Sequence, residues 1–350
     1  MGRMLTVLVL SFLSIFNAHT ATTSLPPVPD RGLYALTMGN GYLNLPYIVG
    51  GRVLLQWANL ETAEGVYNWS EVDSNLYSAF SKGKKFTLQI NGGNKPAWLY
   101  QKVAVLPGTF NQVNDPQGAL QYWDPIYINA YKNFIVAFAQ HLRQSPYKSA
   151  LLGVRQNFNA IGTELGWLYG DQINLANWVP APNGHKYEVE WTSQIYTDYR
   201  REIISAHIDA FRPDICLFIR NNVFYDDILT PVQVDMVDRG ELALFHTSSE
   251  HQPRVYSEYS NEDFKFILFQ QYCLSGKTTG YTEPWNPSTT NDWGIEPLQY
   301  NYWRLLLDLN CGISFISLKY TDLDLRTNAE FNDAFIFAAE YAGYHASPRV

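Results

Sequence analysis

The sequence predicts an α/β chain folded as a single (β/α)8 TIM barrel, and three observations carry that expectation. Short apolar runs alternate with helix-patterned segments along the length of the chain. Residues 53–100 join an apolar run, a helical stripe and a second apolar run through short links, which makes one βαβ unit and a parallel sheet. No linker or low-complexity segment divides the 350 residues, a length that one barrel domain accommodates. The competing layout, a doubly wound open sheet, lacks a Gly-x-Gly-x-x-Gly fingerprint to support it.

Apolar runs at 32–37, 53–57, 86–90, 150–154, 215–219, 242–245, 278–281 and 313–318 are the eight expected strands. A Gly/Asn-rich loop, 38–44, follows the first, and Gly50 and Gly51 bound the second. Ser70 is a suitable N-cap for the next helix, in which Val72, Leu76, Ala79 and Phe80 fall at helical spacing before Gly83 closes it. The third strand ends in Asn91-Gly92-Gly93, and an irregular connection occupies 101–124; loops of that length in compact domains usually serve function. Tyr127, Ala130, Tyr131, Phe134, Phe138 and Leu142 form the apolar stripe of a helix over 125–142, stopped by Pro146. A second long loop, 166–185, carries Trp167, Tyr169 and Trp178, and a helix over 187–211 ends at Arg212-Pro213. Shorter helices are expected over 231–239 and 262–273, and stronger ones over 298–310 and 329–344.

Hydrophobic residues make up 46% of the chain and charged residues only 17%, with a formal net charge of −8 and no basic run. That balance argues against a nucleic-acid or anionic-membrane partner. Residues 1–22 read as a secretory signal, with Arg3 at the positive end, an apolar core over 5–16 and small residues over 17–21. The barrel domain is therefore expected over 23–350 and outside the cell. The apolar core of the signal is too short to span a bilayer comfortably. Cys216, Cys273 and Cys311 each sit in or beside an apolar stretch, so buried thiols are expected. No Cys-x-x-Cys or paired-His spacing suggests a metal, and no cofactor is expected. Asn68-Trp69-Ser70 is an N-glycosylation sequon, whereas Pro287 disqualifies Asn286.

The segment Trp57-x-x-Leu60-Glu61, Glu64-Gly65-x-Tyr67-x-Trp69, Asp73, Gly83 and Pro96-x-Trp98-Leu99 resembles the second and third βα units of the clan A glycoside hydrolases. The nearest likeness is to the catalytic domain of the family 42 β-galactosidases, over about fifty residues in the spirit of a motif match. The resemblance implies a carbohydrate substrate and a retaining two-carboxylate hydrolysis, with the acid/base after strand four and the nucleophile after strand seven. Glu164 and Glu283 occupy those places. In a retaining enzyme the two carboxyl groups stand about 5–5.5 Å apart, one protonating the leaving oxygen while the other attacks the anomeric carbon. The family usually has Asn directly before its acid/base; here Thr163 stands there, and Asn159 is the nearest upstream asparagine. That departure motivates the alternative of a carbohydrate-binding barrel without hydrolysis.

Active-site groups in such a barrel lie at the C-terminal ends of the strands, which singles out further residues. Glu250 after strand six is the rival nucleophile or a binding residue. Trp57, Asn91, Asn159, Arg220 and His246 follow strands two to six in turn, and Trp285 follows strand seven. Amide, charged and aromatic side chains there are candidates to hold sugar hydroxyls and ring faces. Glu61 and Glu64 are expected to fix the turn between them. A Gly-x-Ser-x-Gly elbow is absent, so Ser248 and Ser249 beside His246 and His251 do not suggest serine chemistry.

Overall fold

A computed structural model describes residues 31–36, 41–110, 113–163, 166–221, 223, 227–247, 261–276, 278–284, 286–291 and 293–344. Eight parallel strands close into a barrel: β1 (Gly32–Ala35), β2 (Ile48–Gln56), β3 (Lys85–Asn91), β4 (Leu151–Arg155), β5 (Leu217–Arg220), β6 (Ala243–Thr247), β7 (Gly280–Glu283) and β8 (Phe315–Leu318). Each strand pairs with its sequence neighbours, and β8 closes on β1 with Phe315 opposite Gly32 and Leu318 opposite Ala35. Among the described residues the longer helices that follow β2 to β8 are α1 (Ser70–Phe80), α2 (Pro125–Gln144), α3 (Ser193–Phe211), α4 (Pro231–Asp238), α5 (Asn261–Leu274), α6 (Pro297–Asn310) and α7 (Ala329–Tyr344), with single-turn helices at Trp57–Leu60 and Tyr320–Asp324. The described part of the β1–β2 link holds only a 3-10 turn, Tyr42–Asn44, and α7 packs back onto β1.

The expected elements are present with shifted ends, and each shift has a local cause. β2 runs through Gly50 and Gly51 instead of starting after them. A Cβ at Gly50 would lie 1.9 Å from the Lys85 carbonyl oxygen and 2.6 Å from Tyr34 Cε1. Glycine is there because strand β3 and a lumen ring approach the backbone too closely for any side chain. The third helix starts at Ser193 and not at 187, with Thr192 Oγ1 accepting from Ile195 N at 3.1 Å. Upstream, the Gln121 side chain donates to Tyr187 O at 2.8 Å and accepts from Tyr187 N at 3.2 Å, and those backbone groups are lost to a helix. Ser70 is the first helical residue of α1; Asn68 Oδ1 accepts from its N–H at 3.1 Å. Helix α2 forms as its stripe dictates: Asp124 Oδ1 caps Ile126 N at 2.8 Å, Pro125 occupies the first turn, and the six stripe residues are buried.

Two cores result. The larger lies between the outer face of the barrel and the helices. The smaller fills the lumen with Tyr34, Phe218, Phe245, Tyr281 and Phe315, among others. Tyr34 meets Phe315 edge-on at 5.5 Å, and Phe218 meets Phe315 at 5.7 Å, a packing that suits aromatic quadrupoles. Cys216, Cys273 and Cys311 are buried free thiols, and burial pushes Cys216 up to about 12. The two long loops are stitched together: Val105 and Val179 exchange backbone hydrogen bonds at 2.9 and 2.7 Å, and Trp123 packs edge-on against Trp178 at 4.9 Å.

Candidate active site

The lumen changes character one pleat above its aromatic floor. On β7, Tyr281 points inward, and Glu283 two residues later points the same way at the strand's last residue. Arg52 from β2 and Arg155 from β4 meet it there. Arg52 Nη1 donates to Glu283 Oε1 at 2.5 Å and Arg155 Nη1 donates to Oε2 at 2.5 Å. The Arg155 guanidinium lies 4.4 Å from the centroid of Phe245 and 5.1 Å from that of Tyr281, so two rings of the floor hold it in place. Burial alone would raise the Glu283 pKa; the charges and hydrogen bonds of Arg155 and Arg52 outweigh it and bring the group down to about 2. Glu283 is a carboxylate at every pH of ordinary interest. The clamp itself carries one excess positive charge, and Arg52 Nε, Arg155 Nε, Gln89 Oε1 and Thr87 Oγ1 are buried without hydrogen-bond partners among the described residues.

The loop after β4 is held by a second device. Three consecutive carbonyls, those of Asn157, Phe158 and Asn159, accept from the buried hydroxyls of Tyr131 (2.9 Å), Tyr199 (2.5 Å) and Tyr127 respectively. Asn159 N donates to Thr163 O at 2.7 Å, which folds the loop back on itself. Lys95, buried, donates to Gly162 O at 2.8 Å and to Gly92 O, which ties this loop to the one after β3. Burial lowers the Lys95 pKa to about 7, with Asp115 opposing. Asn157 Nδ2 donates to Asn91 Oδ1 at 3.2 Å, joining the ends of β3 and β4 through a pair of amides.

Among the residues proposed from sequence, Glu283, Asn91 and Arg220 stand at strand ends; Asn91 and Arg220 are half-buried. Arg220 lies two residues beyond the lumen residue Phe218, on the same side of β5. Glu164, Glu250 and Trp285 lie outside the described residues. Three others are buried. Trp57 is 0% exposed: it turns outward among Tyr127, Tyr131 and Phe134, and its Nε1 donates to Glu61 Oε2 at 2.8 Å. Asn159 is also 0% exposed, its amide donating to Ile90 O at 3.2 Å and Tyr131 Oη at 2.8 Å. His246 is buried with its ring stacked on Phe266 and Phe269 of α5, while its inward neighbour Phe245 faces the lumen. All three are framework residues. Glu61, as expected, fixes its turn, with Oε1 accepting from Gly65 N at 3.0 Å.

Arg52, Arg155 and Asn157 were not singled out from sequence. A visible signal existed for the arginines: each is a lone charge at the middle or end of an apolar strand run, Gly-Arg52-Val and Val-Arg155-Gln. Buried charges of that kind need a partner.

No protein-family model matches the sequence, and no curated protein matches it. Solved structures do. A β-galactosidase from Rahnella sp. R3 superimposes with a TM-score of 0.54 at 14% identity, covering 92% of this chain and 58% of that one. A family 42 β-galactosidase from G. stearothermophilus gives 0.53 at 13%, covering 93% and 57%. The β-amylase catalytic domain from Paenibacillus polymyxa gives 0.50 at 12%, covering 82% and 91%. The fold is that of the clan A glycoside hydrolase barrels. In this barrel Glu283 ends strand seven, and the first residues beyond strand four are Gln156, Asn157 and Phe158. Phe158, 4% exposed, follows Asn157 directly.

Proposed function

We propose that the protein is a secreted glycoside hydrolase that cleaves an O-glycosidic bond, in a β-galactoside or a plant, algal or microbial polysaccharide, by a retaining mechanism. The observation that carries this reading is the ionised Glu283 carboxylate at the C-terminal mouth of a barrel of the glycosidase type, fixed on a rigid strand by the buried Arg155 and the part-buried Arg52. Each carboxylate oxygen accepts one N–H from an arginine and keeps a second lone pair. A charge held there stabilises the oxocarbenium-like transition state, and the oxygen facing the substrate attacks the anomeric carbon. The two guanidiniums make the same carboxylate a good leaving group when water releases the sugar. Glu164 is assigned as acid/base: it protonates the departing oxygen, then takes a proton from the attacking water. Half-buried Asn91 and Arg220 are assigned to sugar hydroxyls.

The test is release of nitrophenol from aryl β-glycosides and of reducing ends from polysaccharides by wild type, Glu164→Gln and Glu283→Gln. Both variants are expected to lose at least about a thousandfold in turnover, and azide is expected to rescue Glu164→Ala through a glycosyl azide of retained configuration. Full activity of Glu283→Gln would sink the assignment. A second reading, a carbohydrate-binding barrel without hydrolysis, is favoured by Phe158 standing immediately after the strand-four asparagine and by the engagement of both Glu283 oxygens. It predicts glycan binding with no reducing-end release by the wild type.

A further inference from the structure

Among the described residues lies a cavity of about 360 Å3, and no residue lining it comes from a barrel strand. It lies between the hairpin that follows β2, Glu61–Ala63 paired with Val66–Tyr67, and the first turns of α2. That volume is at the small end of ligand pockets, with room for about one or two sugar rings. Trp98 and Tyr67 supply ring surface, and Asn129 and Asn133 contribute two exposed amides one helical turn apart on α2. Neither amide has a hydrogen-bond partner among the described residues. Glu64 at the rim pairs with Lys102, whose ammonium lies 5.6 Å from the Trp98 ring centroid.

Trp98 is the informative residue. The buried indole N–H groups of Trp57, Trp123, Trp178 and Trp191 each donate to a protein acceptor: Glu61, Val189 O, Gln172 O and Tyr122 Oη. The indole nitrogen of Trp98 is buried and has no acceptor among the described residues. A tryptophan placed for the fold alone normally finds one. The charges also discriminate. Glu61 and Glu64 set against Lys102 leave one negative charge, which disfavours a phosphate, sulfate or uronate. Ring faces and free amides are groups that hold uncharged polyols. The Lys102–Glu64 pair is exposed on both sides, and pairs of that kind hold weakly, so Lys102 yields the Trp98 face readily.

We propose that this cavity is a carbohydrate subsite outside the barrel, taking a neutral sugar unit against Trp98 with the amides of Asn129 and Asn133 on its hydroxyls. The proposal rests on the carbohydrate reading of the barrel and not on hydrolysis there. Its test titrates maltohexaose, cellohexaose and β-1,4-galactotetraose into the full chain, followed by tryptophan fluorescence and calorimetry, with aryl-glycoside turnover measured separately. Trp98→Phe and Asn129→Ala/Asn133→Ala are the variants; the asparagines are exposed on a helix, where alanine is well tolerated. At least one probe is expected to bind. Each variant is expected to weaken it about tenfold and to leave aryl-glycoside turnover unchanged. Weakened binding in a wild type that hydrolyses nothing leaves the subsite standing while removing the hydrolase. Identical titrations of wild type and both variants, no binding of any probe, or a preference for oligogalacturonate over the neutral probes each overturn the subsite.

Discussion

Replacing Arg155 with methionine removes one of the two guanidiniums on Glu283 while keeping an unbranched chain between Phe245 and Tyr281. The clamp holds Glu283 at about 2, well below its ordinary 4.5, because Arg155 and Arg52 favour the carboxylate more than burial disfavours it. Arg52 still pairs with Glu283 after the substitution, so what is lost is one hydrogen bond to a charged group, about 1.5–3 kcal/mol. The sign fixes the pH window. A carboxylate with a depressed folded-state pKa stabilises the protein fully above 4.5 and loses that contribution as pH falls through 2. Urea unfolding of wild type and Arg155→Met is therefore expected to show a deficit of about 1.5–3 kcal/mol at neutral pH, narrowing steadily once pH falls below about 4.5. The same substitution raises the Glu283 pKa, so the acid limb of any hydrolysis profile is expected to move up. A deficit that is constant across pH, or none at all, would refute the electrostatic account of the clamp.

Two further substitutions probe the loop after β4. Tyr199→Phe, which strips the hydroxyl from the Phe158 carbonyl, is expected to cost about 1–3 kcal/mol and to speed amide hydrogen exchange over 157–163; unchanged exchange there would show that the tyrosines do not hold the loop. Lys95 has a folded-state pKa of about 7 against an ordinary 10.5, so the unfolded chain binds more protons between those values. Wild-type stability, measured relative to Lys95→Met, is expected to rise with pH across that window, and a flat or falling difference would contradict the burial of the Lys95 amine.

Helix α2 was legible in detail, because a stripe of period 3.6 behind an Asp-Pro start leaves few alternatives. The eight strands were legible as apolar runs and their parallel order as alternation with helices, since those patterns are local. What the runs concealed was which side chain faces the lumen. A strand buried on both faces shows little polar alternation, so its parity cannot be read from sequence, and an error of one residue exchanges the two faces. His246, expected just beyond strand six, lies within β6 with its ring on the helix side, whereas Arg52 and Arg155 face the lumen. The clamp joins residues 128 and 231 positions apart. Only closure of the barrel brings β2, β4 and β7 around one carboxylate, and that closure decides which charges are paired.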